Sequence, residues 1–141
     1  MATITQKIIT RKDCEKNPKN LYIFGENVQS QKNKDKFAGG GQAEIRGMIN
    51  SYGFCTLEAI HKYWSDDNFD ANVRQIDSDI ENIKYHYTVL GCKNVVFPFY
   101  GLGTGRANLH IYAPKTFLYM CIRLISDFGF NNIEALEVPK F

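Results

Sequence analysis

The sequence predicts an α/β domain, in which helices cover both faces of a sheet, because short apolar runs alternate with helical patterns along the chain. The apolar run over residues 95–100 predicts a buried strand. A loop with glycine at alternate positions follows it, and a helical pattern begins near Ala113. A second glycine cluster, residues 39–41, precedes another helical pattern. We therefore predict a three-layer α/β/α sandwich with a mixed sheet of at least four strands and at least three helices.

Length and composition support one soluble domain over residues 1–141. The net charge of +2 is too small to indicate general nucleic-acid binding. No segment approaches the roughly 20 apolar residues that cross a membrane, and the N-terminus lacks a signal-peptide pattern. The four cysteines are scattered, without a CxxC pair, so we expect buried, reduced thiols and neither a disulfide, a metal nor a cofactor.

The first part of the chain predicts two strands, over residues 2–10 and 21–24. Glu26 and Asn27 come just past the second strand, and ligands of α/β sheets bind beyond the carboxyl ends of strands. Asn27 can equally be a turn residue with a local backbone hydrogen bond. Residues 28–37 predict a polar loop, whose lysines (Lys32, Lys34 and Lys36) are either solvated or attract an anion.

Residues 39–41 are all glycine and open a predicted helix that continues to Ile49. Glycines at a helix start let backbone N–H groups approach a phosphate, and the helix dipole adds to the attraction. A flexible connection would have the same composition.

The second half predicts an extended segment over 53–56 and a long helix with an apolar stripe from Phe69 to Ile83. The acidic residues on its other side, Asp79 among them, are expected to form a solvated face. The helix from about Ala113 to Asp127 is apolar over most of its surface, so we expect it to be largely buried. Residues 133–138 predict a last strand.

Neither glycine cluster has the spacing of a P-loop or of a Rossmann fingerprint. Their shared position before helices predicts that the two loops face each other and hold a nucleotide-like ligand. Candidate ligand-binding residues lie in both loops: Gly39, Gly40, Gly41, Gln42, Arg46, Gly101, Leu102, Gly103, Thr104, Gly105 and Arg106.

These segments resemble a family of small bacterial and phage proteins with the pattern FGDN…GGQA.IRG…GIPTK…SD…P..GLGTG.A. The match spans residues 23–27, 39–47, 97–98, 101–105 and 113–114. Glu26 stands in place of the family's Asp, and residues 53–57 lack the Lys of GIPTK. The scattered cysteines predict a cytoplasmic protein, and the resemblance implies the host cytoplasm if a phage encodes it.

The same layout also resembles a macrodomain, in which a strand ends in Asn, a GGG-type loop opens a helix, and a later glycine-rich loop wraps a diphosphate. The resemblance implies a macrodomain-like fold and an ADP-ribose-like ligand. Gly40, Gly41 and Gln42 would line its distal ribose, and the second loop would donate N–H groups to the phosphates from Gly103, Thr104 and Gly105. Asp13 is a loose counterpart of the adenine-binding Asp.

Three functions follow as hypotheses. In the first, the protein binds ADP-ribose or a related, including cyclic, adenine nucleotide, with or without hydrolysis of an ADP-ribosyl bond; for hydrolysis, Asn27 would orient a water or a ribose hydroxyl, and Glu26 is the nearest candidate for the general base. Alternatively it sequesters such a nucleotide without catalysis, or it is a protein-interaction module without a small ligand. His110 is a further polar candidate near the second loop. A bulky residue at Gly103 is expected to abolish binding with little loss of stability.

Overall fold

The computed structural model describes residues 1–137 and contains one sheet of four strands. The strands are β1 (Ala2–Gln6), β2 (Asn20–Asn27), β3 (Ser51–Leu57) and β4 (Asn94–Pro98). Their order is β1-β4-β2-β3, and all three pairings are parallel. The predicted mixed sheet is therefore wrong for the described residues, whereas the α/β class is confirmed.

Five α-helices lie among the described residues: α1 (Arg11–Lys16), α2 (Val28–Lys32), α3 (Phe69–Val89), α4 (Leu109–Tyr112) and α5 (Pro114–Phe128). Three 3-10 turns complete the described chain, at Gly41–Ile45, Asp66–Asn68 and Ile133–Glu137. None of the helices in residues 1–137 has the length and apolar character that a bilayer crossing requires.

Side-chain alternation along β2 divides the core between the two faces of the sheet. Leu21 and Ile23 belong to a large cluster that also contains the buried residues of α3 and α5. Tyr22 and Phe24 belong to a second cluster, in which the Gly41–Ile45 turn contributes its buried residues. Continuing the alternation puts Glu26 on this second face, next to the first glycine loop.

Several predicted elements are corrected by the structure. The strand predicted over residues 133–138 is instead the Ile133–Glu137 turn, and Val138 lies outside the described residues. The loop predicted from residue 28 begins with the short helix α2. The helix predicted after Gly41 is a 3-10 turn ending at Ile45, because the chain soon adopts a left-handed φ of 87° at Gly47.

The long helices also differ from prediction in what they bury. Asp79 on α3 is fully buried, so the solvated acidic face predicted there is wrong at this position. The expectation that α5 is largely buried is wrong as well, because Leu118, Ile122 and Ile125 are about half exposed on its outer side. All four cysteines are buried free thiols, as expected.

Candidate functional site between the two glycine loops

Gln42 connects the two glycine loops and fixes the distance between them. Its side-chain amide donates to the carbonyl oxygen of Gly101 at 2.9 Å, and its Oε1 accepts from the N–H of Gly25, also at 2.9 Å. On the outer side, a Cβ placed on Gly40 would lie 3.0 Å from a guanidinium nitrogen of Arg106. The two loops therefore face each other across the carboxyl ends of β2 and β4, as predicted.

Glu26 and Arg46 form a buried ion pair beneath the first loop. Arg46 donates to both carboxylate oxygens of Glu26, from Nε at 2.7 Å and from Nη2 at 2.5 Å. This fork geometry and the hydrogen bonds raise the pKa of Arg46 further above its usual value. Room for the carboxylate comes from Gly53 on the neighbouring strand, where a Cβ would lie 2.7 Å from that of Glu26.

The second loop is held in shape by its glycines and by Asn132. Gly101 and Gly103 both have left-handed backbones, with φ of 84° and 74°. Fully buried Asn132 accepts from the N–H of Leu102 at 2.7 Å and donates to its carbonyl oxygen at 2.9 Å. The Thr104 hydroxyl donates to the carbonyl oxygen of Tyr100. The backbone of this loop is therefore fixed before any ligand arrives.

A run of backbone donors in this fixed loop has no acceptor among residues 1–137. The consecutive N–H groups concerned are those of Gly103, Thr104, Gly105, Arg106 and Ala107. Gly103 and Thr104 are buried, and a buried N–H group normally has a partner. Successive unpaired amides of this kind form the concave anion sites known as nests.

The first loop also carries unpaired N–H groups, but here they belong to exposed or half-buried residues. The N–H groups of Gly40, Gly41 and Gln42 have no acceptor in the described part of the chain. Arg106, which is exposed and forms no ion pair with a described residue, lies beside this loop. Both loops thus carry unpaired N–H donors, and Arg106 adds an available positive charge beside the first loop, a combination that favours an anion.

The two candidate catalytic side chains are already engaged in the fold. The Oδ1 of Asn27 caps α2 by accepting from the N–H of Ser30 at 2.8 Å. This is the local backbone hydrogen bond that was the alternative interpretation of Asn27. Glu26 is 5 % exposed and accepts from Arg46 and from the N–H of Asn27. Both groups are on the last residues of β2, at the predicted edge, and their side-chain oxygens already accept hydrogen bonds from the chain.

Other sequence candidates lie at the margin of the site or outside it. Asp13 closes the capping box of α1 with Thr10, whose backbone hydrogen bond lowers the pKa of Asp13. The ring of His110 packs against Phe117, and its buried Nδ1 has no partner among the described residues. Lys32, Lys34 and Lys36 are exposed. Residues 1–137 contain no group of three or more His, Cys, Asp or Glu side chains placed to hold a metal ion.

The expectation for Gly103 also needs correction. Its left-handed φ and the neighbouring Leu109, whose Cβ would lie 3.0 Å from an added one, mean that a bulky residue there strains the loop. Gly105 is exposed and a Cβ on it meets nothing within 4 Å. Gly105 is therefore the position at which the site can be blocked without disturbing the fold.

Sequence reasoning missed two residues in this part of the molecule. Asn132 holds the second loop from a distance of 30 positions in the chain, and no local pattern signals such a contact. Phe37 lies two positions before the first glycine cluster and is 87 % exposed. The sequence signal that could have identified Phe37 is an aromatic residue inside a lysine-rich loop.

Comparison with known proteins identifies a family but no activity. Residues 4–123 match a family of unknown function, DUF7831. The chain belongs to this family. No curated protein and no solved structure is significantly similar to it.

Proposed function

We propose that this member of DUF7831 binds ADP-ribose or a related adenine nucleotide, cyclic forms included, with its phosphates between the two glycine loops. The observation that carries the proposal is the run of five consecutive loop amides, residues 103–107, that have no acceptor within residues 1–137. Phosphate oxygens are the acceptors that such a run accommodates. The resemblance to macrodomains, including a three-layer fold and a cytoplasmic location, is part of the same proposal.

In this proposal the positive charge that attracts the ligand comes from Arg106, whereas Arg46 positions the first glycine loop. The guanidinium of Arg46 is neutralised by Glu26, so it holds the first loop in place and adds little attraction for an anion. Arg106 is exposed and lies beside Gly40, where it can pair with a phosphate on entry.

Binding without catalysis is favoured over hydrolysis by the state of the candidate catalytic groups. A general base needs a free acceptor within reach of the proton it removes. Glu26 accepts a two-pronged hydrogen bond from Arg46, and Asn27 caps α2. A protein that sequesters a nucleotide needs only the loops and Arg106. A protein-interaction module without a small ligand is the other alternative, and binding of any screened ligand would count against it.

Calorimetry with ADP-ribose, NAD and cyclic ADP-ribose isomers tests the proposal. We expect at least one of them to bind, and we expect Arg106→Ala to weaken that binding about tenfold or more, as the loss of a charge-assisted hydrogen bond requires. Gly105→Val should also weaken it, without lowering the melting temperature. Arg74→Ala, at an exposed arginine on α3, is the matched control and should bind like the unmodified protein.

Two results would count against this proposal in different ways. If none of these ligands gives heat or a thermal shift, the proposed binding is wrong for these ligands, and an interaction module is favoured. If a ligand binds and chromatography then finds a cleaved product that Asn27→Ala fails to produce, the protein is a hydrolase.

A further inference from the structure

Phe37 is the most exposed of the large apolar residues in the described chain, with 87 % of its surface in contact with solvent. It makes no ring contact with another described aromatic residue. An exposed phenylalanine contributes nothing to the core, so packing does not account for an aromatic residue at this position.

The backbone on both sides of Phe37 is nevertheless held in place. On the N-terminal side, the N–H of Asp35 donates to the carbonyl oxygen of Ser30 at 3.1 Å. The carbonyl oxygen of Lys36 lies so close to Gly47 that a Cβ there would be 2.1 Å from it. On the C-terminal side, the N–H of Gly39 donates to the carbonyl oxygen of Ala43 at 2.9 Å.

Arg46 extends this anchoring to Phe37 itself and joins it to the candidate site. Its Nη1 donates to the carbonyl oxygen of Phe37 at 3.4 Å, while its other nitrogens hold Glu26. The ring is thus carried by a segment that the same ion pair ties to the first glycine loop. An aromatic side chain on a fixed backbone loses little conformational entropy when a planar ligand stacks on it.

We infer that Phe37 is a stacking residue for a planar ring of the ligand, so that the site selects nucleotides over phosphate compounds without a base. This inference rests on the proposed function, because Phe37 lies two positions before the first glycine loop and is tied to it through Arg46. Stacking tolerates different bases, since every base has a π-face. The site is therefore expected to discriminate weakly between different bases, but strongly between ligands with and without a planar ring.

The test compares one ligand that has a base with one that lacks it, in the full chain. ADP-ribose is titrated by calorimetry and inorganic pyrophosphate by NMR chemical shifts, against the unmodified protein, Phe37→Ala, Phe37→Leu and Phe37→Trp. We expect Phe37→Ala and Phe37→Leu to lower the affinity for ADP-ribose about tenfold, the order expected for one stacked base. Phe37→Trp should retain it, and pyrophosphate should bind all four proteins alike.

Tyr85→Ala is the matched control, since Tyr85 is an exposed aromatic residue, at 62 %, on α3. Unchanged ADP-ribose affinity in Phe37→Ala, with Arg106→Ala still weakened, would overturn the stacking role and leave the proposed function standing. An equal loss for ADP-ribose and pyrophosphate would overturn it too, because Phe37 would then shape the loop. Absence of binding by the unmodified protein would overturn both.

Discussion

Two polar regions of this molecule are built in opposite ways. The buried carboxylate of Asp79 accepts hydrogen bonds from four residues: from Tyr52 and Gln31 at 2.7 Å, from the N–H of Cys55 at 2.9 Å, and from Gln75 at 3.2 Å. Between the glycine loops, a run of N–H donors has no acceptor within residues 1–137. The first region is complete, and the second lacks the acceptors that an anionic ligand would supply.

The difference separates stability from function. Burial raises the pKa of Asp79, against the opposing effect of its hydrogen bonds, so the fold bears a cost to keep this carboxylate. In return, Asp79 ties α3 to β3 and α2 through its partners. The second glycine loop bears the cost of unpaired amides at the buried residues Gly103, Thr104 and Ala107, and in the chain alone it gains nothing for it. Such a deficit is typical of a binding site rather than of a core.

The largest expected effect is a fall in stability on Asp79→Ala, which removes the central acceptor of the complete region. The N–H of buried Cys55 and the hydroxyl of Tyr52 lose their acceptor, and Gln31 and Gln75 lose one of their two hydrogen bonds, since they also donate to Gly53 and to Gln31. We expect the free energy of unfolding to fall by about 3–4 kcal/mol, the sum of a few unsatisfied donors. Urea denaturation followed by circular dichroism measures it.

Glu81→Ala on the same helix is the control for this variant. The side chain of Glu81 is 68 % exposed and only approaches Lys84, at 3.6 Å. Its loss should change the free energy of unfolding by less than about 0.5 kcal/mol. Equal effects of the two variants would show that the Asp79 cluster does not stabilise the fold.

A smaller effect is expected within the second region, where two glycines of one loop should behave differently. A Cβ on Gly101 would lie 2.5 Å from that of Ala135, and its φ is left-handed at 84°. Gly101→Ala should therefore lower the free energy of unfolding by about 2–3 kcal/mol, through overpacking and backbone strain.

Gly105→Ala should leave the stability within about 0.5 kcal/mol of the unmodified protein, because a Cβ there meets nothing within 4 Å. Thermal denaturation of the two variants side by side makes the comparison. A stable Gly101→Ala protein would indicate a loop that rearranges easily, and the fixed arrangement of its unpaired amides would then be wrong.

Much of the fold could be predicted because its signals are local. The apolar run before Gly101 and the glycine clusters are contiguous in sequence, and they locate β4 and both loops. The direction of strand pairing is not local, which is why the mixed sheet was a wrong prediction. Burial of Asp79 was missed for a related reason. Its donors lie 24 to 48 positions away for Cys55, Tyr52 and Gln31, so helix periodicity alone places it with the exposed acidic residues.

Within the candidate site, sequence predicted which loops meet but not what holds them. The facing of the loops follows from the parallel sheet, whose carboxyl ends share one edge. The contacts of Gln42 with Gly101 and of Asn132 with Leu102 span 59 and 30 positions. Amide and carboxylate side chains look alike in sequence whether they contact a ligand or the backbone. For this reason the sequence predicts correctly that Glu26 and Asn27 lie at the carboxyl edge of the sheet. It does not predict that Glu26 pairs with Arg46 or that Asn27 caps α2.

The smallest expected effect concerns Asn27, which stands where the complete and the incomplete regions meet. As the N-cap of α2 it satisfies the N–H of Ser30, so Asn27→Ala should lower the free energy of unfolding by about 1 kcal/mol, and Asn27→Ser should restore most of it. If Asn27 is a cap and nothing more, calorimetry should find the same nucleotide affinity in both variants and in the unmodified protein. A loss of affinity in Asn27→Ser, in which α2 is still capped, would show that Asn27 contacts the ligand. The binding site would then include the end of β2 as well as the glycine loops.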